Sequence, residues 1–519
     1  MKEVEAVAEK GSKNAKKRTR KIAVFCLLAV LAALAAGLVL FWQRPLMPLP
    51  PREVLLEDTK ALDGIVITAR FSPDRRTLAV EQIFQLTNRG EDSRTTAVFR
   101  AYPNAFQQEE TSPAAIEEMY DLSYPNGFSV GALVVGEARA DLGDSTLRPV
   151  DYRYLDRAKT VLQVTLPREW QPETELFIGF SYTLHIPAMA GRFGVNNDFW
   201  ALGNAFLIPA PYENGAYRTD AYYPLGDPFV SDSFNYTVAL EVPDGYTVAA
   251  SGWQSLKDEK TEGGKRLYYG GLGLRDFAAC ISPRYQLVQA MEEGVLVSVY
   301  AADRAQAKKT LGYARKALEV FSRRYGAYPY PALTLAEADA PFGGMEYPCL
   351  VLLGSADMAA GGENLEWLVA HEVAHQWWYN AVGSDQVNQP WQDEGLCEYS
   401  VLSYAQDVYG TARREDLWFE RVETAMRLTL PRGVTPGSPL EYHGDGAEYS
   451  LMAYRRGAAM FYALNEALDG KLDDFLRRYY DKYRFKRATR EDFEAELKAF
   501  SGEDWSPLMV DYLDTYLTN

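Results

Sequence analysis

The sequence predicts an α+β chain of more than one domain, and three observations carry that expectation. At 519 residues the chain exceeds what one hydrophobic core holds. From about residue 52 to 302, apolar and polar residues alternate in short runs punctuated by Pro, Gly, Asn and Asp, as half-buried antiparallel strands do. From about residue 303 the apolar spacing changes to three and four: Leu311, Ala314, Leu318, Phe321 and Tyr325 form one helical face. The remainder, 303–519, reads as mostly helical, with a short strand-like region over 333–353.

Residues 1–21 form a polar tail ending in Lys16, Lys17, Arg18, Arg20 and Lys21. Residues 22–42 carry no charge. As a helix that run spans about 30 Å, enough for a bilayer core. The basic residues before it place the N-terminus in the cytoplasm, and Trp42 suits the far interface. A cleaved signal peptide is the alternative, with Ala33-Leu34-Ala35 as its small-residue site. The apolar run continues past that point through Leu38, Val39, Leu40 and Phe41, which favours a single uncleaved transmembrane anchor. The rest of the chain is then extracytoplasmic. Pro45, Pro48, Pro50 and Pro51 make residues 43–51 a stiff linker.

In the β-rich segment the candidate strands are 64–70, 78–87, 160–166, 176–186, 236–242 and 295–300. Pro243-Asp244-Gly245 is a turn signal between them. The one helix-like run is 113–120. His185 sits in a strand-like run and carries no motif. Of the cysteines, Cys26 lies in the apolar N-terminal run. Cys280, Cys349 and Cys397 have no paired spacing, so no disulfide framework is expected, and Cys397 reads as a buried structural thiol. Hydrophobic content of 47% and charged content of 24% are those of an ordinary globular protein. The net charge of −17 argues against a nucleic-acid partner, which would require a basic face. Nothing in the sequence sets an oligomeric state.

The helical segment is organised around residues 368–399, LVAHEVAHQWWYNAVGSDQVNQPWQDEGLCEY. His371, Glu372 and His375 form H-E-x-x-H. Residues four apart share a helix face, so the two imidazoles can aim at one point. A catalytic zinc takes three protein ligands and keeps one position open. Glu372, one step round the helix, is placed to accept a proton from water and not to bind the ion. Glu394 can supply the third ligand if a second helix returns beside the first. Gly361-Gly362 precede the first helix, Gly383 is the expected stop, and Pro390 suits the first turn of the second. The bland alternative is an amphipathic helix with two buried histidines.

Two more stretches carry candidate chemistry. In Pro341-Phe342-Gly343-Gly344-Met345-Glu346-Tyr347-Pro348, the paired glycines let a backbone approach a ligand, and Glu346 can pair with a free α-amino group. The alternative is a glycine turn with a surface glutamate. Tyr454 lies in a helical region where a hydroxyl near the metal could stabilise an oxyanion. Tyr442 and Tyr449 compete with it. His443 reads as a structural or solvent-facing loop histidine.

Together these pieces resemble the gluzincin metallo-aminopeptidases, of the alanyl aminopeptidase and leukotriene-hydrolase type. That family's W-L-N-E-G motif reads here Trp391-Gln392-Asp393-Glu394-Gly395. Its G-x-M-E-N is matched by Gly343, Gly344, Met345 and Glu346, with Tyr347 in the asparagine position. Its Y-x-K-G tyrosine falls on Tyr454, with Arg456 in the lysine position. The resemblance implies an antiparallel N-terminal β-saddle followed by a thermolysin-like catalytic domain. It implies one Zn2+ on His371, His375 and Glu394, with Glu372 and Tyr454 as catalytic groups. Gly343, Gly344 and Glu346 would bind a peptide substrate by its amino terminus. The C-terminal helical domain of larger members has no counterpart in these residues, which would leave the cleft less covered. The amine anchor of the family's N-terminal domain has no clear match here; Glu213 is the candidate for it. The expected activity is that of a membrane-anchored zinc aminopeptidase. An endopeptidase using the same site and a non-catalytic cell-surface receptor or scaffold are the alternatives.

Overall fold

The computed structural model describes residues 47–515 apart from 114–116, 142, 144–145 and 429–432. The basic tail, the apolar run 22–42 and the start of the linker lie outside the described residues. Among the described residues no helix is long and apolar enough to cross a membrane. Residues from Pro48 onward form one compact unit.

Its first layer is a nine-stranded sheet, in which Gly64–Ser72, Thr77–Thr87, Glu175–His185 and Ala132–Asp141 lie side by side. Strict alternation explains its burial. Ile65, Ile67, Ala69 and Phe71 face the core, as do Leu78, Val80, Phe84 and Leu86, while Val66 and Ile83 face outward. Gln82 is the polar member of the inward row. It is satisfied there, donating to Leu207 O at 2.9 Å and accepting from the Tyr182 hydroxyl at 2.6 Å.

The sheet is mixed and not purely antiparallel. Gly64–Ser72 runs parallel to Phe234–Pro243, with Gly64 opposite Asn235. No tight turn joins these two strands. The chain between them builds further strands, including Arg94–Arg100 and Val161–Trp170 of a second sheet, so nothing forces a hairpin. The helix expected over 113–120 is instead Glu117–Ser123, seven residues long.

The changeover between halves also differs from expectation. Gln286–Glu292 and Val295–Ala301 do not belong to the N-terminal sheets. They pair into a five-stranded sheet with Ala332–Ala338, Leu350–Gly354 and Gly344–Tyr347. Val295–Ala301 lies parallel to Ala332–Ala338, and the 22-residue helix Arg304–Tyr325 makes the crossover. Asp303 caps that helix, its side chain accepting from the backbone N–H groups of Ala305 and Gln306. Val295–Ala301 is buried at all but one position, and a strand's local pattern does not tell which sheet it joins.

Two buried groups tie the halves together. Arg275 is fully buried among backbone carbonyls, and burial lowers its pKa to about 10. It donates to Ser231 O at 2.9 Å, Tyr379 O at 2.6 Å and Lys486 O at 2.7 Å. Tyr347, in the edge strand Gly344–Tyr347, sends its hydroxyl to Asn204 Oδ1 at 2.8 Å. A Cβ on Gly203 would stand 1.9 Å from that hydroxyl, so only glycine leaves room for it.

Candidate active site

The first motif helix is Gly362–Ala374, with His375 as its C-cap. It ends nine residues before the expected stop, since Gly383 lies in a short strand, Val382–Gly383. The reason is local. Gln376 and Trp377 already bond back three residues, Tyr379 takes φ +93°, and Trp377 and Trp378 are driven into the core. Gly383 serves close approach instead: a Cβ there would meet the Arg275 guanidinium at 2.2 Å.

The second motif starts with a 3-10 turn, Pro390–Gln392, and continues as the helix Glu394–Tyr409. Asp393 accepts from Glu394 N at 2.8 Å and so caps it. This brings Glu394 back beside the histidine pair. His371 Nε2 and His375 Nε2 are 3.1 Å apart, and Glu394 Oε2 lies 3.2 Å from the first and 3.3 Å from the second. All three residues are buried, and they form the metal-ligand cluster found among the described residues.

The donor set fits zinc. Tetrahedral ligands about 2.0–2.1 Å from an ion stand about 3.3–3.4 Å from one another, close to the spacing of this triangle. The far nitrogen of each ring faces an acceptor, His375 Nδ1 against Trp378 O at 3.3 Å and His371 Nδ1 toward Glu398 Oε2 at 3.6 Å. That arrangement leaves both Nε2 lone pairs for a cation. Burial opposes charge on His371, yet Glu394 and Glu398 outweigh it and hold its pKa up at about 9. Burial likewise pushes Glu394 up, but His375 and His371 prevail and bring it down to about 2.

Glu372 sits beside the triangle. Its Oε2 is buried and has no partner within the protein. Burial raises its pKa to about 7, against the pull of His371 and His375. Gly344 explains how the carboxylate fits: a Cβ there would stand 2.4 Å from Glu372 Oε1. Gly343 abuts Leu368 of the same helix, where a Cβ would come within 3.2 Å. The glycine pair thus brings the edge strand against the motif helix.

Glu346 follows on that strand. It is buried, faces the same cavity, and accepts from Gln386 Nε2 at 3.4 Å. Burial raises its pKa well above the ordinary range. Tyr454 donates to Glu394 Oε1 at 2.6 Å, and its ring stacks on His371 at 5.5 Å. It lies in a π-helical turn, Ser450–Arg456, a distortion common at functional sites. Tyr449 lines the cavity as well, whereas Tyr442 is largely exposed and away from it. His443 is buried, packs edge-on to Tyr449 and faces Ser438 O. Arg456, in the position of the family's lysine, donates to Ala425 O and Leu428 O at the end of a neighbouring helical run.

The cavity these groups share measures about 520 Å³. Sequence reasoning missed five of its charged residues, Asp357 among them. Asp227 and Arg192 come from the β-rich half and pair at 2.7 Å, Arg192 stacking on Phe342 at 5.4 Å. No motif marks Arg192 or Asp227 in the sequence. Glu398 and Arg421 lie at the foot of the site. Glu398 could have been found from its spacing, four residues after Glu394 on one helix; Arg421 has no such signal. Glu213, the candidate for the amine anchor, is engaged elsewhere. It binds Arg218 and Arg487 at 3.0 Å each and does not line the cavity. Cys280, Cys349 and Cys397 are buried free thiols.

Comparison with known proteins agrees with this geometry. Residues 309–512 match the Peptidase family M1 domain. Aminopeptidase RNPEPL1 of Mus musculus is 31% identical over 211 residues, 38% of this chain and 28% of the relative. Aminopeptidase N of Lactobacillus delbrueckii subsp. lactis is 24% identical over 458 residues, 77% of this chain and 52% of the relative. Leukotriene A-4 hydrolase of Xenopus laevis is 27% identical over 203 residues, 38% of this chain and 32% of the relative. The chain therefore spans about half the length of these curated relatives or less. In fold it resembles the M1 zinc metallopeptidase from Deinococcus radiodurans, with a TM-score of 0.63 at 16% identity, over 88% of this chain and 95% of that one. Residues 309–512 thus match an M1 peptidase domain, and the ligand triangle of His371, His375 and Glu394 lies inside it.

Proposed function

We propose that the protein is a zinc aminopeptidase that releases the first residue of peptides. One observation carries the reading. Three ligand atoms converge within 3.3 Å of one another beside a buried glutamate whose outer oxygen has no partner. When bound, the ion supplies Lewis acidity toward a carbonyl and makes water a nucleophile near neutral pH. Glu372 takes the proton of the attacking water on its free oxygen. From there the group can release that proton to the departing amine. Tyr454 turns its hydroxyl from Glu394 to the oxyanion. Glu346 pairs with the substrate's ammonium, whose positive charge favours the ionised carboxylate that burial alone disfavours. Gly343 and Gly344 keep the edge strand close enough for a peptide backbone to lie along it.

The aminopeptidase names among the relatives support this activity, as does a mutant of the Deinococcus protein described as bound to a Tyr-Ser-Ala substrate. Anchoring to a membrane by residues 22–42, with the catalytic part extracytoplasmic, belongs to the same proposal and rests on the uncharged run behind a basic tail. A panel of aminoacyl-coumarin substrates, assayed with and without a chelator, tests the activity. Turnover that a chelator abolishes and zinc restores is the expected result. Cleavage confined to acetyl-capped peptides would replace the reading with an endopeptidase. Fractionation of cells into membrane and soluble parts tests the anchor.

A further inference from the structure

Glu398 is a buried carboxylate that the mechanism above leaves without a role. Its side chain is 2% exposed and touches two groups of opposite kind. On one side Oε2 stands 3.6 Å from His371 Nδ1, beyond hydrogen-bond length but close enough to bias a ring in a water-poor site. On the other side Arg421 closes on it as a fork, Nε to Oε1 at 2.5 Å and Nη2 to Oε2 at 2.9 Å. Such paired contacts fix the plane of a carboxylate as a single contact does not. Arg421 belongs to the π-helical turn Phe419–Glu423, and Arg456 binds Ala425 O and Leu428 O just beyond it. The segment bearing the fork is therefore tied to the turn that bears Tyr454.

We propose that Arg421 is a positioning residue of the metal site, acting on His371 through Glu398. A carboxylate held in one plane keeps the Nδ1–H edge of His371 turned toward it. The ring then presents Nε2, with its lone pair, to the ligand triangle. Without the guanidinium, the carboxylate would lose its orientation and its countercharge together. The proposal rests on the zinc reading of the triangle, and the test separates the two.

The purified full chain is stripped of metal, and its zinc dissociation constant is read by competition with a chelator. The same is done for Arg421→Ala, Arg421→Lys and Glu398→Gln, each with thermal melts of the metal-free and the zinc-loaded protein. Arg421→Ala and Glu398→Gln should weaken zinc binding about 10–100-fold. Arg421→Lys, which keeps the charge and loses the fork, should recover only part of that. The zinc-loaded melts should fall further than the metal-free ones, which a purely structural role would not give. Zinc affinity equal to wild type in both Arg421→Ala and Glu398→Gln overturns the proposal. A loss of affinity with metal-free melts that fall as far as the zinc-loaded ones also overturns it. If wild type itself binds no zinc, the reading of the triangle fails first and takes this proposal with it.

Discussion

Gly395 and Gly457 pack backbone against backbone. A Cβ on Gly395 would stand 2.8 Å from the carbonyl carbon of Gly457, and one on Gly457 would stand 3.0 Å from the Cα of Gly395. The two helices thus cross at the residue after Glu394 and three residues after Tyr454. This close crossing allows the 2.6 Å contact between those two side chains.

Gly395→Ala should therefore separate the helices by forcing a methyl group into the crossing. The expected cost is about 1–3 kcal/mol of stability, the usual range for overpacking. Turnover should fall with it as Tyr454 draws away from Glu394. Urea unfolding and kcat, measured on one preparation, check both effects.

Glu372→Gln removes the proton acceptor and keeps the shape. Turnover should drop by at least about 10²-fold, within the range for a lost general base. Zinc content by elemental analysis should stay at one ion per chain. Wild-type rates in this variant would remove Glu372 from the mechanism.

Glu346→Ala should act on substrate selection. Peptides with a free amino terminus should lose kcat/KM, while acetyl-capped peptides should change little. The ratio of the two is the measurement, and an unchanged ratio refutes the ammonium contact.

Asp276 carries a pH prediction. It is buried, accepts from Phe277 N at 2.7 Å and Asn204 Nδ2 at 3.1 Å, and burial pushes its pKa up to about 8. The unfolded carboxyl releases its proton near pH 4, whereas the folded one keeps it to about pH 8. Between these values the unfolded state binds fewer protons, so this group's contribution to stability is greatest below pH 4 and declines up to about pH 8. Asp276→Asn removes that decline. Its stability relative to wild type should rise with pH by on the order of a few kcal/mol and level off above pH 8, as read by urea unfolding at several pH values.

Arg275→Met should cost on the order of 2–4 kcal/mol, because it leaves buried carbonyls of both halves without donors. The loss should appear in the melting temperature of the metal-free and the zinc-loaded protein alike.

The metal ligands were legible in the sequence because their chemistry fixes their spacing. His371 and His375 had to lie one helical turn apart, and the path to Glu394 needed only one reversal of the chain. The central strands were legible where one face is wet, as in Ile65, Val66 and Ile67. What stayed hidden depended on partners far along the chain. Val295–Ala301 reads as a strand like those of the N-terminal sheet, yet its neighbour is Ala332–Ala338. Asp227, Arg192 and Arg421 reach the cavity by long-range packing, which no local pattern encodes. Tyr347 departs from the family motif because the fold uses it as a bridge to Asn204.

The placement of Gln286–Glu292 and Val295–Ala301 has a practical consequence. A fragment starting at residue 303 would keep every zinc ligand and lose two of the five strands beneath them. It would also strip Tyr379 of its guanidinium donor and Tyr347 of its amide acceptor. The half carrying the ligand triangle is therefore not a portable module, and a cut that keeps all of these contacts has to fall before Asn204.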